Sequence, residues 1–137
     1  GAFGRGEGSA MNLPPPSLQA LALIALGGAA GSVLRALLSW AIPAGALPWG
    51  TVAANVAGCL LIGVLMGWLG EPSSSAPGVP ALLVTGFCGG FTTFSAFSWQ
   101  TLAAFSRGQV AAGLGNIALT LVACLAATWA GWRLFRG

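Results

Sequence analysis

The chain has 137 residues, of which 56% are hydrophobic and 5% are charged, and its five arginines and two glutamates give a formal charge of +3. So little charge cannot cover the surface of a water-soluble domain, and the composition therefore predicts an integral membrane protein. The positive charges are also too few and too scattered for a nucleic-acid-binding surface, so no nucleic-acid partner is expected.

Residues 1–16 are predicted to form an N-terminal segment ahead of the membrane domain. Residues 1–10 do not begin with methionine and are rich in glycine, as in a linker or cloning remnant before Met11. Three consecutive prolines, residues 14–16, then form a stiff lead-in. The apolar run after them is longer than a signal-peptide core of about 7–15 residues, so we expect a retained helix.

Four apolar runs follow and predict an all-α fold, with four transmembrane helices in a single domain over residues 17–137. Each run has about the 20 residues that a bilayer core requires. Ser17 is placed to cap the first helix after the prolines. Because the loops are short, consecutive helices must be antiparallel. The predicted spans are residues 17–40, 49–69, 79–105 and 109–134.

The arginines are divided almost evenly between the two sides of the membrane. If both termini face one side, that side holds Arg133 and Arg136, plus Arg5 if the start is native, and the other side holds Arg107 and Arg35. A clear excess on one side is needed to fix orientation. The balance permits insertion in both orientations, although a small protein oriented by weak signals would look the same.

Small residues recur at four-residue spacing, which lets helix backbones approach closely. Most of these residues are expected to make packing contacts only. Four helices leave little room for a pore between them, so a homodimer would supply the missing walls. The pairs are Gly27 with Gly31, Ala54 with Gly58, Gly63 with Gly67, and Gly86 with Gly90.

Four polar residues inside the first, second and fourth spans need an explanation. Arg35 lies well inside a span, where a charge is costly, and it is either an anchor at a pore mouth or a snorkelling structural residue. The side-chain amide of Asn55 offers two hydrogen-bond donors and one acceptor to a ligand, but it could equally serve to join two helices by hydrogen bonds. Asn116 and Thr120 share a face of the fourth span, where Thr120 could instead bond back to its own helix.

The third span carries an unusual stretch, residues 86–98, in which three glycines precede regularly spaced rings and hydroxyls. The glycines can let the helix unwind and free backbone carbonyls for a cation. Ring edges and hydroxyls can favour an anion, although an aromatic stripe alone is more often plain packing. Phe91, Phe94 and Phe97 recur every third residue, and Thr92, Ser95 and Ser98 do so one position later.

At these residues the chain strongly resembles the Fluc (CrcB) family of fluoride channels. The resemblance covers residues 26–131 and rests on three segments of unusual composition. The first two are Gly-Gly-Ala-Ala-Gly-Ser-Val-Leu-Arg ending at Arg35, and Trp-Gly-Thr followed by Asn55 and Gly58. The third is Gly-Phe-Cys-Gly-Gly-Phe-Thr-Thr-Phe-Ser-Ala-Phe-Ser, residues 86–98.

The resemblance implies an antiparallel, dual-topology homodimer in the inner (plasma) membrane, with two fluoride pathways and a third helix broken in mid-membrane. Passive efflux would keep fluoride from accumulating in the cytoplasm and so confer fluoride resistance. A central structural sodium ion would be held by main-chain carbonyls of Gly89 and Thr92. The pathway residues would be Asn55, Phe94, Ser95, Phe97 and Thr120, with Arg35 near the vestibule.

Three positions depart from the family pattern. Ala96 replaces a frequent threonine, Asn116 stands where some members have tyrosine, and Cys124 where some have serine. The three cysteines, residues 59, 88 and 124, lie in apolar runs without ligand spacing, so no disulfide or cysteine metal site is expected.

Two other classes compete with the channel. A proton-coupled transporter of the small multidrug-resistance type needs a carboxylate inside the membrane, and the only acids, Glu7 and Glu71, lie outside the predicted spans. A structural subunit would leave Asn55 and the hydroxyls of residues 86–98 without a purpose. No nucleophile–base pair or phosphate loop is found, so the chain is not expected to be an enzyme.

Overall fold

The computed structural model describes residues 14–70 and 77–136. The predicted linker or cloning remnant lies outside the described residues, as does Glu71 in the loop between the second and third spans. Within the described ranges the protein is helical, with four segments long and apolar enough to cross a membrane. The all-α, four-span fold class predicted from the sequence is therefore confirmed.

The four spans are Leu18–Ala41, Trp49–Leu69, Pro80–Ser106 and Val110–Arg136. Ser17 caps the first of them, because its hydroxyl accepts a hydrogen bond of 3.1 Å from the Ala20 amide. The third and fourth spans are joined by a tight turn at Gly108, whose φ of 75° lies in the left-handed region that favours glycine. This short connection makes the two helices antiparallel neighbours.

The third span consists of two helical halves with an interruption between them. Its first half begins as a π-helix, Pro80–Cys88, and continues as the short α-helical turn Gly89–Phe91. Thr92 and Thr93 then have extended backbone, with ψ angles of 153° and 109°. An α-helix resumes over Phe94–Ser106. We refer to Thr92 and Thr93 as the interruption.

The glycines of residues 86–98 do not unwind, which differs from the sequence-based expectation. Gly86, Gly89 and Gly90 all keep helical conformation, and the interruption comes after them. Gly90 instead allows the first span to approach. A Cβ added at Gly90 would lie only 2.9 Å from the Cα atom of Gly28 and would collide with it. Glycine here serves close backbone approach rather than helix breakage.

The first span packs against the first half of the third through particular glycines. A Cβ at Gly27 would collide with the Leu82 carbonyl and lie 2.8 Å from the amide nitrogen of Phe87. At Gly28, one position along, a Cβ would approach the nearest atom only to 3.7 Å. The contact therefore depends on the face of the helix and not on glycine content in general.

The second and fourth spans form the other close pair. A Cβ at Gly63 would collide with the carbonyl of Thr128, and one at Gly131 would collide with the carbonyl of Leu60. These reciprocal contacts bring the two backbones together along the C-terminal part of each helix.

The outer surface of this bundle is apolar. Large side chains such as Trp40, Leu125 and Leu134 are 72–85% exposed. A water-soluble monomer rarely exposes so much contiguous apolar surface, whereas a lipid bilayer or a second subunit covers it. The chain is accordingly a multi-pass membrane protein.

Candidate functional site

Asn55 of the second span clasps the interruption of the third. The backbone amide of Thr93 donates to Asn55 Oδ1 at 2.7 Å, and Asn55 Nδ2 donates to the Thr93 carbonyl at 3.2 Å. The Asn55 oxygen thus replaces the Gly89 carbonyl that the Thr93 amide would bond in a continuous helix, and Asn55 Nδ2 gives the Thr93 carbonyl a donor from another span. Its amide group carries two N–H bonds and uses one on Thr93, so one donor remains. Asn55 is 6% exposed.

The interruption ends because Thr93 caps the helix that follows. Its hydroxyl accepts a hydrogen bond of 3.1 Å from the Ala96 amide, and it lies 3.2 Å from the hydroxyl of Ser95. On the other side, the Thr92 amide and hydroxyl both donate to the Cys88 carbonyl, at 3.0 and 2.8 Å. Both extended residues are therefore tied to their flanking helices by their own side chains.

At the interruption, two backbone amides do not bond the main-chain carbonyls that they would bond in a continuous helix. The usual partner of the Gly89 carbonyl is the Thr93 amide, which donates to Asn55 instead. The usual partner of the Thr92 carbonyl is the Ala96 amide, which donates to the Thr93 hydroxyl. A hard cation such as sodium is bound by carbonyl oxygens of this kind. The carbonyls of Gly89 and Thr92 thus fit the donor type predicted for the sodium site.

The aromatic stripe predicted over residues 91–97 is divided by the interruption. Phe91 is buried and stacks on Phe87, with ring centroids 5.5 Å apart and planes inclined by 21°. Phe94 and Phe97 form a separate tilted pair, with centroids 5.4 Å apart and planes inclined by 47°. Phe97 is 8% exposed, whereas Phe94 is 74% exposed. The second pair lines a cavity together with Asn55.

Four of the predicted pathway residues line one cavity of about 300 Å³ between the second, third and fourth spans. Asn55, Phe94, Phe97 and Thr120 all contribute to its wall, together with the interruption. Among the described residues, no charged side chain lines this space. We call it the central cleft. Its remaining lining residues are Cys59, Leu121, Cys124 and Leu125.

A ladder of hydrogen bonds extends from the central cleft along the fourth span. The Thr120 hydroxyl donates to Asn116 Oδ1 at 3.3 Å, and Asn116 Nδ2 donates to the Thr101 hydroxyl at 3.0 Å. Thr101 in turn donates to the Phe97 carbonyl at 2.7 Å. Thr120 therefore bonds to a side chain, not only to its own backbone. To donate its single proton to an ion, it must turn away from Asn116.

Arg35 and Ser95 do not line the central cleft. Arg35 Nε donates to the Gly90 carbonyl at 3.2 Å, and the Ser32 hydroxyl approaches the same oxygen at 3.4 Å. The arginine therefore holds the first span to the end of the glycine segment. Ser95 is exposed on the chain, and its hydroxyl is joined to the cleft only through Thr93.

Sequence reasoning missed three polar residues that complete the network. Thr93 bonds to Asn55 through its backbone amide and caps the following helix through its hydroxyl. Thr101 links Asn116 to the third span. Gln100 donates to the Thr51 hydroxyl at 2.9 Å, and its buried Oε1 lacks a hydrogen-bond partner within the described part of the chain. The spacing of Thr93 before Ala96 was an available cap signal. The contacts between spans had no local signal.

An uncharged cleft in which a few polar side chains lie among apolar ones, beside an interrupted helix and inside four apolar spans, defines a class: a small multi-pass membrane protein with polar groups buried in its helix bundle. Residues 22–132 match the family described as "CrcB-like protein, Camphor Resistance (CrcB)". The chain belongs to this CrcB family, and the resemblance found in the sequence is thereby confirmed.

Relatives named "Fluoride-specific ion channel FluC" resemble the chain over almost its whole membrane domain. A Rhizobium etli protein is 45% identical over 122 residues, which cover 87% of this chain and 97% of the relative. A Solibacter usitatus protein is 45% identical over 83% of this chain and 96% of its own length. A Flavobacterium psychrophilum protein is 41% identical over 79% of this chain and 90% of its own length. Membership of a family of channels agrees with the expectation that the chain is not an enzyme.

Proposed function

We propose that the protein is a fluoride-selective channel that releases cytoplasmic fluoride passively. The observation that carries this proposal is the uncharged central cleft, in which Asn55, Phe94, Phe97 and Thr120 meet at the interruption. The names of the family members support fluoride as the ion. As a channel for cytoplasmic fluoride, the protein would lie in the inner membrane.

Fluoride is small and tightly hydrated, so a pathway must replace its water with compact hydrogen-bond donors. The donor of Asn55 that Thr93 does not use is one such group. Thr120 is a second when its proton turns from Asn116, and Ser95 is a third when it accepts from Thr93. None of these groups carries a fixed positive charge that would hold the ion too tightly.

The phenylalanine pair supplies the apolar part of the pathway. An aromatic ring has a positive edge, and rings that present edges to an anion stabilise it without hydrogen bonding. Phe97 is held within the chain, and Phe94 stands free beside it at 5.4 Å between centroids. Fluoride would pass between these ring edges and the donors of the central cleft.

Fluoride efflux from proteoliposomes tests this function. Purified protein is reconstituted into liposomes loaded with potassium fluoride, and release is followed with a fluoride electrode after valinomycin is added. We expect release far faster than from protein-free liposomes, and no comparable release from liposomes loaded with potassium chloride. A parent protein that releases fluoride no faster than empty liposomes would refute the proposal. Proton-dependent release without valinomycin would instead favour a coupled transporter.

The channel is proposed to be an antiparallel homodimer with one fluoride pathway per subunit. Its support is the surface of the single chain, where Phe94 is 74% exposed and a Cβ at Gly89 would meet nothing within 4 Å. A partner would cover both positions and complete the walls. The almost even division of arginines agrees with insertion in both orientations.

A sodium ion at the dimer interface is proposed to complete this assembly. One chain offers the carbonyls of Gly89 and Thr92, and the same two from a partner would enclose the ion with four oxygens. The bound ion would add positive potential near the fluoride pathways and hold the two interruptions together.

Cross-linking and ion analysis of the purified dimer test this arrangement. Single cysteines introduced at opposite ends of the bundle, in a background without native cysteines, are expected to join one end of a subunit to the opposite end of its partner. Cross-links that join only the same ends of the two subunits would show a parallel dimer and rule out the antiparallel one. Atomic absorption after dialysis into sodium-free buffer is expected to retain about one sodium per dimer. Complete loss of sodium from an intact dimer would contradict a structural ion.

A further inference from the structure

The second and fourth spans place two cysteine thiols in the wall of the central cleft. Cys59 follows Asn55 by one helical turn, and Cys124 follows Thr120 in the same way. Both cysteines line the cleft, one from each of the two spans. Both are partly exposed, whereas Cys88, the third cysteine, is buried and does not line it.

From this pairing, we propose that Cys59 and Cys124 form a binding site for a soft divalent cation of the mercury type. Such an ion forms strong bonds to two thiolates and is satisfied by two ligands in a line. Each thiol gives its proton to water, and two metal–sulfur bonds form without any change in oxidation state. The site lies within the cleft proposed to carry fluoride, so an ion bound there would block the pathway.

Charge decides which soft cation fits. No charged side chain lines the cleft within the described residues, so a complex with net charge would be costly there. Two thiolates and one divalent ion sum to zero, whereas a monovalent silver or copper ion gives a neutral complex only if one thiol keeps its proton, and that ion then has one strong sulfur ligand instead of two. Zinc would be neutral too, but it requires about four ligands. The Asn55 oxygen that could serve as a third is engaged by the Thr93 amide.

Mercury block of fluoride efflux tests the site, and this part of the test rests on the proposed function. Each protein is compared with its own efflux rate before addition of one Hg²⁺ per chain. We expect the rate of the parent and of Cys88→Ala to fall to that of protein-free liposomes. When free cysteine is added as a competing thiol at the concentration of Hg²⁺, Cys59→Ala and Cys124→Ser should keep most of their own rates, since a thiol pair binds about 100-fold more tightly than one thiol.

A binding measurement separates the metal site from the channel function. Native mass spectrometry of the Cys88→Ala dimer in detergent is expected to show a mass gain per chain equal to one mercury less two protons. When Cys124→Ser is added to Cys88→Ala, the species with one mercury less two protons per chain should disappear, because a single thiol releases only one proton. If the parent releases no fluoride but binds mercury in this pattern, the channel proposal fails and the metal site stands.

Three results would overturn the metal site. The first is full block and binding that survive in Cys59→Ala or Cys124→Ser. The second is loss of block in Cys88→Ala, which would place the reactive thiol elsewhere. The third is equal block by Zn²⁺ at the same concentration, which would contradict a two-ligand site.

Discussion

Replacing Asn55 by alanine is expected to abolish fluoride efflux and to lower the stability of the protein strongly. The substitution leaves the Thr93 amide without its partner at the interruption and removes the donor that Asn55 gives to the Thr93 carbonyl. Each buried polar group left unsatisfied costs about 1–3 kcal/mol. The remaining donor that Asn55 offers to the cleft is lost as well. Efflux from proteoliposomes and thermal unfolding in detergent measure the two effects.

Asn116→Ala is the matched control for this substitution. Asn116 is also buried, at 2% exposure, but its amide bonds to hydroxyls and not to backbone groups. The Thr101 hydroxyl already donates to the Phe97 carbonyl and keeps that bond. The control should therefore lose less stability than Asn55→Ala. Equal unfolding temperatures for the two variants would contradict the clasp as the main support of the interruption.

Replacing Phe94 by isoleucine is expected to stop fluoride efflux while leaving the fold and the dimer intact. Phe94 is 74% exposed on the chain, so the loss of its ring removes little packing within the subunit. Its positive edge beside the cleft disappears, and isoleucine provides no equivalent. Efflux measurement combined with size-exclusion chromatography separates the loss of flux from the loss of assembly.

Two further variants define the specificity of this effect. Phe97→Ile changes a ring that is 8% exposed, so it should also destabilise the chain, by about 1–3 kcal/mol. Leu102→Ile alters an exposed apolar residue on the same helix and should leave efflux unchanged. If Phe94→Ile conducts like the parent, the ring has no role in the pathway.

The helices and the main polar residues could be predicted from the sequence because their signals are local. Each span is a continuous apolar run, and Ser17 is read as a cap from its place after three prolines. The glycines of residues 86–98 are unusual for a span, but unusual composition does not reveal their effect: they allow close contact with the first span and remain helical.

The position of the interruption could not be predicted, because a distant residue determines it. Glycine only permits a helix to open, whereas the hydrogen bonds offered elsewhere decide which residues leave it. Asn55 offers those bonds from 38 residues away in the chain. The ladder from Thr120 to Thr101 likewise crosses between two spans, and periodicity within one helix does not indicate its partner.

The clasp between Asn55 and the third span has a consequence for how the two positions tolerate change. Asn55 bonds to main-chain atoms of residue 93, which every amino acid except proline presents alike. A side chain at 93 without a hydrogen-bond acceptor would lose the cap on Ala96 but keep the bonds to Asn55. At position 55, by contrast, an amide of this length is required. The information that shapes the third span is thus encoded largely in the second.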